Sequence, residues 1–205
     1  MTATPRGGTA RRGRPGYDLE SVLRVAVKLF NERGYDGTSM EVLSRKLGIT
    51  KSAIYHHVPS KEELLRLAVN RAMDGLFAVA EQAEALPGRA VDRLEFLMRG
   101  SVLVLVEQLP FVTLLLRVRG NTRAERAAIS RRREFDQIVT GLVTEAGKDG
   151  DLRSDIDPAT TARLLFGMVN SLIEWYRPRG GSSGTDLAEA ITKVAFEGMR
   201  VRQAP

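Results

Sequence analysis

The chain has 205 residues, 43% of them hydrophobic and 27% charged, enough length for one large domain or two small ones and the balance of a chain that folds around a core. It contains no cysteine, so disulfide frameworks, thiolate zinc sites and cysteine nucleophiles are excluded. The net charge of +6 is uneven: residues 1–75 hold 13 Lys and Arg against 8 Asp and Glu, while residues 76–205 hold 18 against 17. A basic excess concentrated on a short segment is the electrostatic footprint of something that meets phosphates. No run of about eighteen apolar residues occurs, and Met1 to Gly16 lacks the apolar stretch of a secretion signal, so a cytoplasmic protein without membrane association is expected.

Alternation with period two is almost absent, and apolar residues recur at i, i+3, i+4 and i+7, so the pattern predicts an all-α fold of about nine helices. Residues 1–16 form a flexible arm rich in Arg, Gly and Pro. Val22, Val25, Ala26, Leu29 and Phe30 line one face of a first helix over about residues 18–33, with Gly34 placed as its cap. Thr38 can cap the next helix, with Glu41 three residues on completing a capping box, and Met40, Leu43 and Leu47 form its buried stripe. Gly48 permits a tight reversal before Thr50 opens a second short helix through Ala53, Ile54 and Tyr55 to about His57. Ser60-Lys61-Glu62-Glu63 is a further capping box, and the longer helix it opens carries Leu64, Leu65, Ala68, Ala72 and Leu76.

Beyond it, Leu94, Leu97, Met98, Val102, Leu105 and Leu109 keep helical spacing over about residues 89–109, and Val102 to Val106 is apolar on every side, as in a fully buried helix. Pro110 should break this helix, and a short piece through Leu114, Leu115 and Leu116 follows. A long helix over about residues 122–148 offers Ile129, Phe135, Ile138 and Leu142 to the core. Asp157-Pro158 is a helix start, a capping side chain with proline at the first helical position. The helix behind it runs through Leu164, Leu165, Phe166, Val169, Leu172 and Ile173 to Trp175. Gly180 to Gly184 is a connection, and a last helix sets Leu187, Ile191, Val194 and Val201 on one face.

Two short helices around a glycine turn make a helix-turn-helix, a device that projects its second helix into the major groove of DNA. If Ala53, Ile54 and Val58 pack inward, then Thr50, Lys51, Ser52, Tyr55 and His56 point outward. Their hydroxyls, imidazole and ammonium suit phosphates and base edges. Thr38, Ser39 and Lys61 sit at helix starts, where free amides attract phosphate. On spacing and charge alone these faces favour DNA binding, and an ordinary solvated helical hairpin stays open as the alternative.

The residues themselves narrow the choice. Leu29-Phe30-Asn31-Glu32-Arg33-Gly34-Tyr35-Asp36-Gly37-Thr38-Ser39-Met40, with Leu47 to Leu64, closely resembles the DNA-binding domain of TetR-family transcriptional regulators over about residues 18–76. The family's Tyr-His-Tyr-Phe element stands here as Tyr55-His56-His57-Val58, a departure at its last two positions. The resemblance implies a homodimeric repressor that releases its double-stranded DNA operator when a small molecule enters the C-terminal part. By position, Thr38, Ser39 and Lys61 become phosphate contacts, and Thr50, Lys51, Ser52, Tyr55 and His56 the recognition set. It implies a basic arm over residues 1–16, a helix-turn-helix domain over 17–63 with the helix from residue 60 linking the two parts, and a ligand-binding and dimerisation domain over 64–205. Within the arm, Arg11-Arg12-Gly13-Arg14-Pro15 resembles an AT-hook, which would put Arg12 and Arg14 in a neighbouring minor groove.

The C-terminal sequence, including Leu152 to Pro158 and Glu174 to Pro178, resembles the acyl-CoA-responsive branch of that family, related to phenylacetate and fatty-acid degradation regulators. An apolar pocket lined by some of Leu97, Met98, Phe111, Leu115, Phe135, Phe166 and Met168 suits an acyl chain. Residues 117–133 hold seven arginines against one acid, and Arg117 and Arg119 are expected at the pocket rim, where guanidinium forks suit phosphate or carboxylate. Solvated arginines in salt bridges are the plainer alternative. Leu172, Trp175, Leu187, Ile191, Val194 and Gly198 on the last two helices are expected at a subunit interface, two helices from each copy forming a four-helix bundle.

No cofactor or metal is expected, because the two histidines, His56 and His57, are adjacent and diverge by about 100° on a helix. An all-helical enzyme is disfavoured, since no acid/base or nucleophile set can be assembled. An architectural DNA-binding protein without an effector stays open as a rival.

Overall fold

The computed structural model describes residues 18–178, 181 and 183–198. Arg12 and Arg14 of the expected minor-groove arm lie outside the described residues, as does Val201. Among those described there are nine helices and no strand: α1 (Leu19–Arg33), α2 (Met40–Leu47), α3 (Lys51–Tyr55), α4 (Lys61–Ala85), α5 (Ala90–Glu107), α6 (Leu109–Arg117), α7 (Arg123–Lys148), α8 (Pro158–Trp175) and α9 (Gly184–Glu197).

Local chemistry sets most boundaries. Seven helices start on a side chain that accepts from a first-turn amide, namely Asp18, Ser39, Thr50, Ser60, Thr122, Asp157 and Ser183. Such caps satisfy amides that the helix cannot pair internally. At Thr122 the box is complete, with Glu125 reaching back to the Thr122 amide. Ser60 receives the Glu63 amide, but the Glu63 carboxylate turns to Arg66 instead. Gly48 ends α2 at φ 69°, a left-handed conformation that other residues adopt only with strain.

Two expected boundaries move. The fifth helix stops at Glu107, and Pro110 falls in the first turn of α6, where its missing N–H costs nothing. The axis turns by 103° there. The third helix ends at Tyr55 rather than His57, since the His57 and Val58 amides both return to the Ile54 carbonyl and close a turn.

Helices α1 to α3 form a small bundle around Val22, Ala26, Phe30, Leu43, Leu47 and Ile54. Helix α4 packs on α1 and on α5, α6 and α7, and α1 also packs on α6, so the bundle is joined to the rest through both α4 and α6. In the larger part α5 is central, touching α4, α6, α7, α8 and α9. Phe77 of α4, Phe135 of α7 and Phe166 of α8 stack edge-on at centroid distances of 6.0 and 5.3 Å, the arrangement that aromatic quadrupoles favour. Among the described residues no single helix is long and apolar enough to cross a membrane.

Candidate nucleic-acid interface and effector cavity

Helix α3 is only five residues long and is held by one buried side chain, Ile54, together with Val58 just beyond it. With Ile54 fixed inward, helical geometry turns the remaining positions out. Thr50, Lys51, Ser52, Tyr55, His56 and His57 are all exposed, and Tyr55 keeps 48% of its surface free despite its size. Ser39 is exposed at the start of α2 and accepts from the Val42 amide. Lys51 of this row forms an ion pair with Glu41 of α2.

Two residues expected at the phosphates are placed otherwise. Thr38 is completely buried and caps no helix; its hydroxyl donates to the carbonyls of Gly34 (2.9 Å) and Leu29 (3.3 Å), while Ser39 takes the cap. A side chain with no exposed surface cannot meet DNA, so Thr38 is a fastener for the end of α1 and not a phosphate contact. Lys61 is half-buried, with its ammonium 2.9 Å from the Tyr35 carbonyl and 4.0 Å from the Tyr35 ring centroid. That ties the first residue of α4 to the α1–α2 loop and engages the charge locally.

Several further contacts bind this bundle to the larger part. Glu20 of α1 accepts two bonds of 2.7 Å from Arg71 of α4, whose guanidinium lies 4.5 Å from the Phe111 ring centroid on α6. Hydrogen bonds from Arg71 and then Arg24 hold the Glu20 carboxyl below the usual carboxylate range. The Asn31 side-chain amide donates to the Pro110 carbonyl at 2.8 Å. Glu62, in the first turn of α4, accepts from the Ala124 amide at 3.0 Å and so serves the free start of α7.

An apolar cavity of about 50 Å³ lies between α4, α5, α6, α7 and α8. Met73, Leu105, Leu115, Phe135 and Phe166 form its walls, and Ser101, Arg132, Asp136 and Asn170 are its polar members. Phe166 and Asp136 also border a wider outer cleft of about 510 Å³, with Arg133 and Arg163 on its sides. The two spaces are adjacent and share Asp136 and Phe166 as walls. Burial pushes the Asp136 carboxyl above the usual carboxylate range, against the opposing pull of Arg132 and Arg163.

Of the residues expected to line a pocket, Leu115, Phe135 and Phe166 do so. Leu97 and Met98 are fully buried core that does not border this cavity, and half-buried Met168 does not border it either. Phe111 lies under Arg71 beside the α1–α6 cleft. Arg117 and Arg119 are not at its rim but border a separate cleft with Phe30 and Tyr35, and Arg117 reaches the Asn31 carbonyl at 3.4 Å. The rim arginines are Arg132, Arg133 and Arg163. The spacing of Arg132, Phe135, Asp136 and Val139, i, i+3, i+4 and i+7, puts them on one helical face and was the available signal. Among the described residues no three metal-ligating side chains come together.

On α8 and α9 the expected interface residues divide. Leu172 and Leu187 are buried within the chain, whereas Trp175 and Val194 are 55% and 44% exposed. Ile191 is half-buried, and Gly198 is exposed as the cap of α9 at φ 78°. Leu164, outside the expected interface set, is 61% exposed. Together with Gly167, Ser171 and Trp175 it follows a helical stripe along α8.

Comparison with known proteins places both parts. Residues 22–68 match the family described as bacterial regulatory proteins, tetR family, and residues 87–199 match the tetracyclin repressor-like C-terminal domain. The chain is similar to a solved member of the TetR transcriptional regulator family from Streptomyces coelicolor, with 52% identity, a TM-score of 0.83 and coverage of 90% of this chain and 94% of that one. It is 28% identical over 204 residues to the HTH-type transcriptional repressor KstR2 of Rhodococcus jostii, covering 97% of this chain and 98% of that repressor. It also resembles AibR, solved in complex with isovaleryl coenzyme A and operator DNA, at 26% identity and a TM-score of 0.73, over 86% of this chain and 97% of AibR.

Proposed function

This chain belongs to the TetR family of bacterial transcriptional regulators, and from that premise we propose that it is a homodimeric repressor whose α3 reads an operator and whose cavity takes an acyl-CoA thioester. It is a ligand-responsive regulator and not an enzyme. The observation that carries the DNA-reading half is the exposed row of Thr50, Lys51, Ser52, Tyr55 and His56 over buried Ile54. In this reading residues 17–63 are the reader, residues 64–205 bind effector and partner, and a cytoplasmic location follows from the target.

The effector class rests on chemistry. An apolar interior with Arg132 in its lining, beside a cleft flanked by Arg133 and Arg163, suits a molecule with an oily end and a phosphate-bearing end. AibR, which has this fold, is known with isovaleryl coenzyme A. The interior cavity of about 50 Å³ is far below the roughly 300–1,000 Å³ of an occupied small-molecule site. An acyl group therefore enters only if the walls separate. Met73 and Leu76 put α4 in that wall, and the same helix is fastened at its start to Tyr35 and to α7. Widening the cavity shifts α4 and with it the reader, so the effector favours the state that does not fit the operator.

The dimer reading rests on the stripe of Leu164, Trp175 and Val194, apolar side chains exposed on two adjacent helices. A footprint over the chain's own promoter, repeated with isovaleryl coenzyme A, a longer acyl-CoA, the matching free acids and no addition, tests the whole scheme. Protection lifted by thioester and not by free acid is expected. A protected segment unaffected by any thioester would refute the effector class, and the absence of any protected segment would refute operator binding.

A further inference from the structure

Lys51 is the lysine of the recognition row, and in the free protein its ammonium is held by Glu41, ten residues earlier on α2. Among the described residues Arg45 and Lys46, the other exposed cations of this helix pair, have no carboxylate within ion-pair distance. The side chains of Lys51 and Glu41 are 49% and 55% exposed. A pair so open to water adds little to folding. Its consequence lies in what it does in front of a polyanion.

Affinity for arbitrary DNA comes from free cations that neutralise phosphates and release counterions. A lysine already neutralised by a carboxylate contributes nothing to that sum unless it leaves its partner, and the carboxylate is then left facing phosphate. Base edges differ from phosphates. The ammonium can donate to guanine O6 and N7 in the major groove, and a carboxylate can accept from a cytosine amino group. We propose that Glu41 is a specificity-determining residue that withholds Lys51 from the phosphates of arbitrary DNA and yields it only where base edges satisfy both side chains. The inference rests on the DNA-reading role of α3 and adds to it a negative element, a repulsion built against the wrong partner.

The test is the salt dependence of binding of the full chain to a short duplex of scrambled sequence and to the footprinted operator segment, followed by fluorescence anisotropy for wild type, Glu41→Gln, Lys51→Met and the double variant. With Lys51 freed, Glu41→Gln gains one phosphate contact per engaged protomer. Scrambled DNA then binds about 8-fold tighter per protomer near 0.1 M salt, and the log–log slope steepens by about 0.9. The operator gains less, so the ratio of operator to scrambled affinity falls. Lys51→Met leaves the Glu41 carboxylate unopposed, so scrambled DNA binds more weakly than to wild type, and the operator is weakened as well. The double variant returns to the wild-type slope on scrambled DNA. An unchanged slope in Glu41→Gln, or a double variant as steep as Glu41→Gln, overturns the inference, the second because the carboxylate would then act without Lys51. A wild-type chain that binds neither duplex would instead overturn the DNA-reading role itself.

Discussion

Replacing Thr38 with valine removes a hydroxyl while keeping the shape of the side chain, and the hydroxyl donates to two main-chain carbonyls, those of Gly34 and Leu29. Thr38 has no exposed surface and its bond to the Leu29 carbonyl is buried, so water cannot take over that bond, although the Gly34 carbonyl is only partly buried. Leaving buried acceptors without their donor costs about 1–3 kcal/mol. That loss falls on the end of α1 and the start of α2, and it should appear as at least about fivefold faster amide hydrogen exchange over residues 29–43. Thr38→Ser keeps the donor and loses one buried methyl, about 0.8 kcal/mol, and should exchange at rates between valine and wild type. Operator affinity of Thr38→Val, measured well below its unfolding temperature, should stay within about twofold of wild type because no phosphate contact is removed. Unchanged exchange together with a tenfold or greater loss of operator affinity would refute this reasoning and return Thr38 to the DNA surface.

The Glu41 carboxyl is held at about 2, chiefly by the hydrogen bond from Lys51 and then by its own amide and the Ser39 hydroxyl. Because the pair is open to water, the lowered carboxyl adds only a small, screened contribution to stability, present above its unfolded value near 4.5 and lost as pH falls toward 2. NMR titration of its side-chain carbon should show the low midpoint, and Lys51→Met should move it back toward the ordinary range; an equal midpoint in both proteins would show that Lys51 does not hold it. Leu164→Glu with Val194→Glu should give monomers by analytical ultracentrifugation with helical content intact, whereas Leu172→Ala should lower stability by about 2–5 kcal/mol through a core cavity. A double variant still dimeric would show that the interface lies elsewhere. Ser101→Leu, which fills the small cavity between α4 and α8, should keep operator binding while abolishing release by isovaleryl coenzyme A. Release that persists would place the acyl group outside that cavity.

Much of the fold is local and so was legible in the sequence. Thr50, Ser60 and Asp157 cap helices through bonds that span three residues, as their sequence context indicates, and apolar spacing fixes the number and order of the helices. The outward row on α3 follows in the same way, because burying Ile54 on so short a helix leaves one orientation for Lys51, Ser52 and Tyr55. Thr38 and Ser39 show where locality ends. Both are small hydroxyl residues before a helix, and only the packing of α1 against α2 sends one inward to Leu29 and the other to the cap. Period 3.6 identifies an apolar face without saying whether that face meets its own chain or another. Leu172 and Trp175 lie three residues apart on α8, yet the packing of the surrounding helices buries the first and leaves the second exposed. The arginines divide on the same ground. Arg131 is spent on Asp74 and Asn70 of α4 and Arg117 reaches α1, while Arg132 and Arg133 border the cavity and its outer cleft. Charge along a sequence counts guanidinium groups, but which carbonyls and carboxylates claim them depends on partners tens of residues away, brought within about 3 Å only when the helices pack.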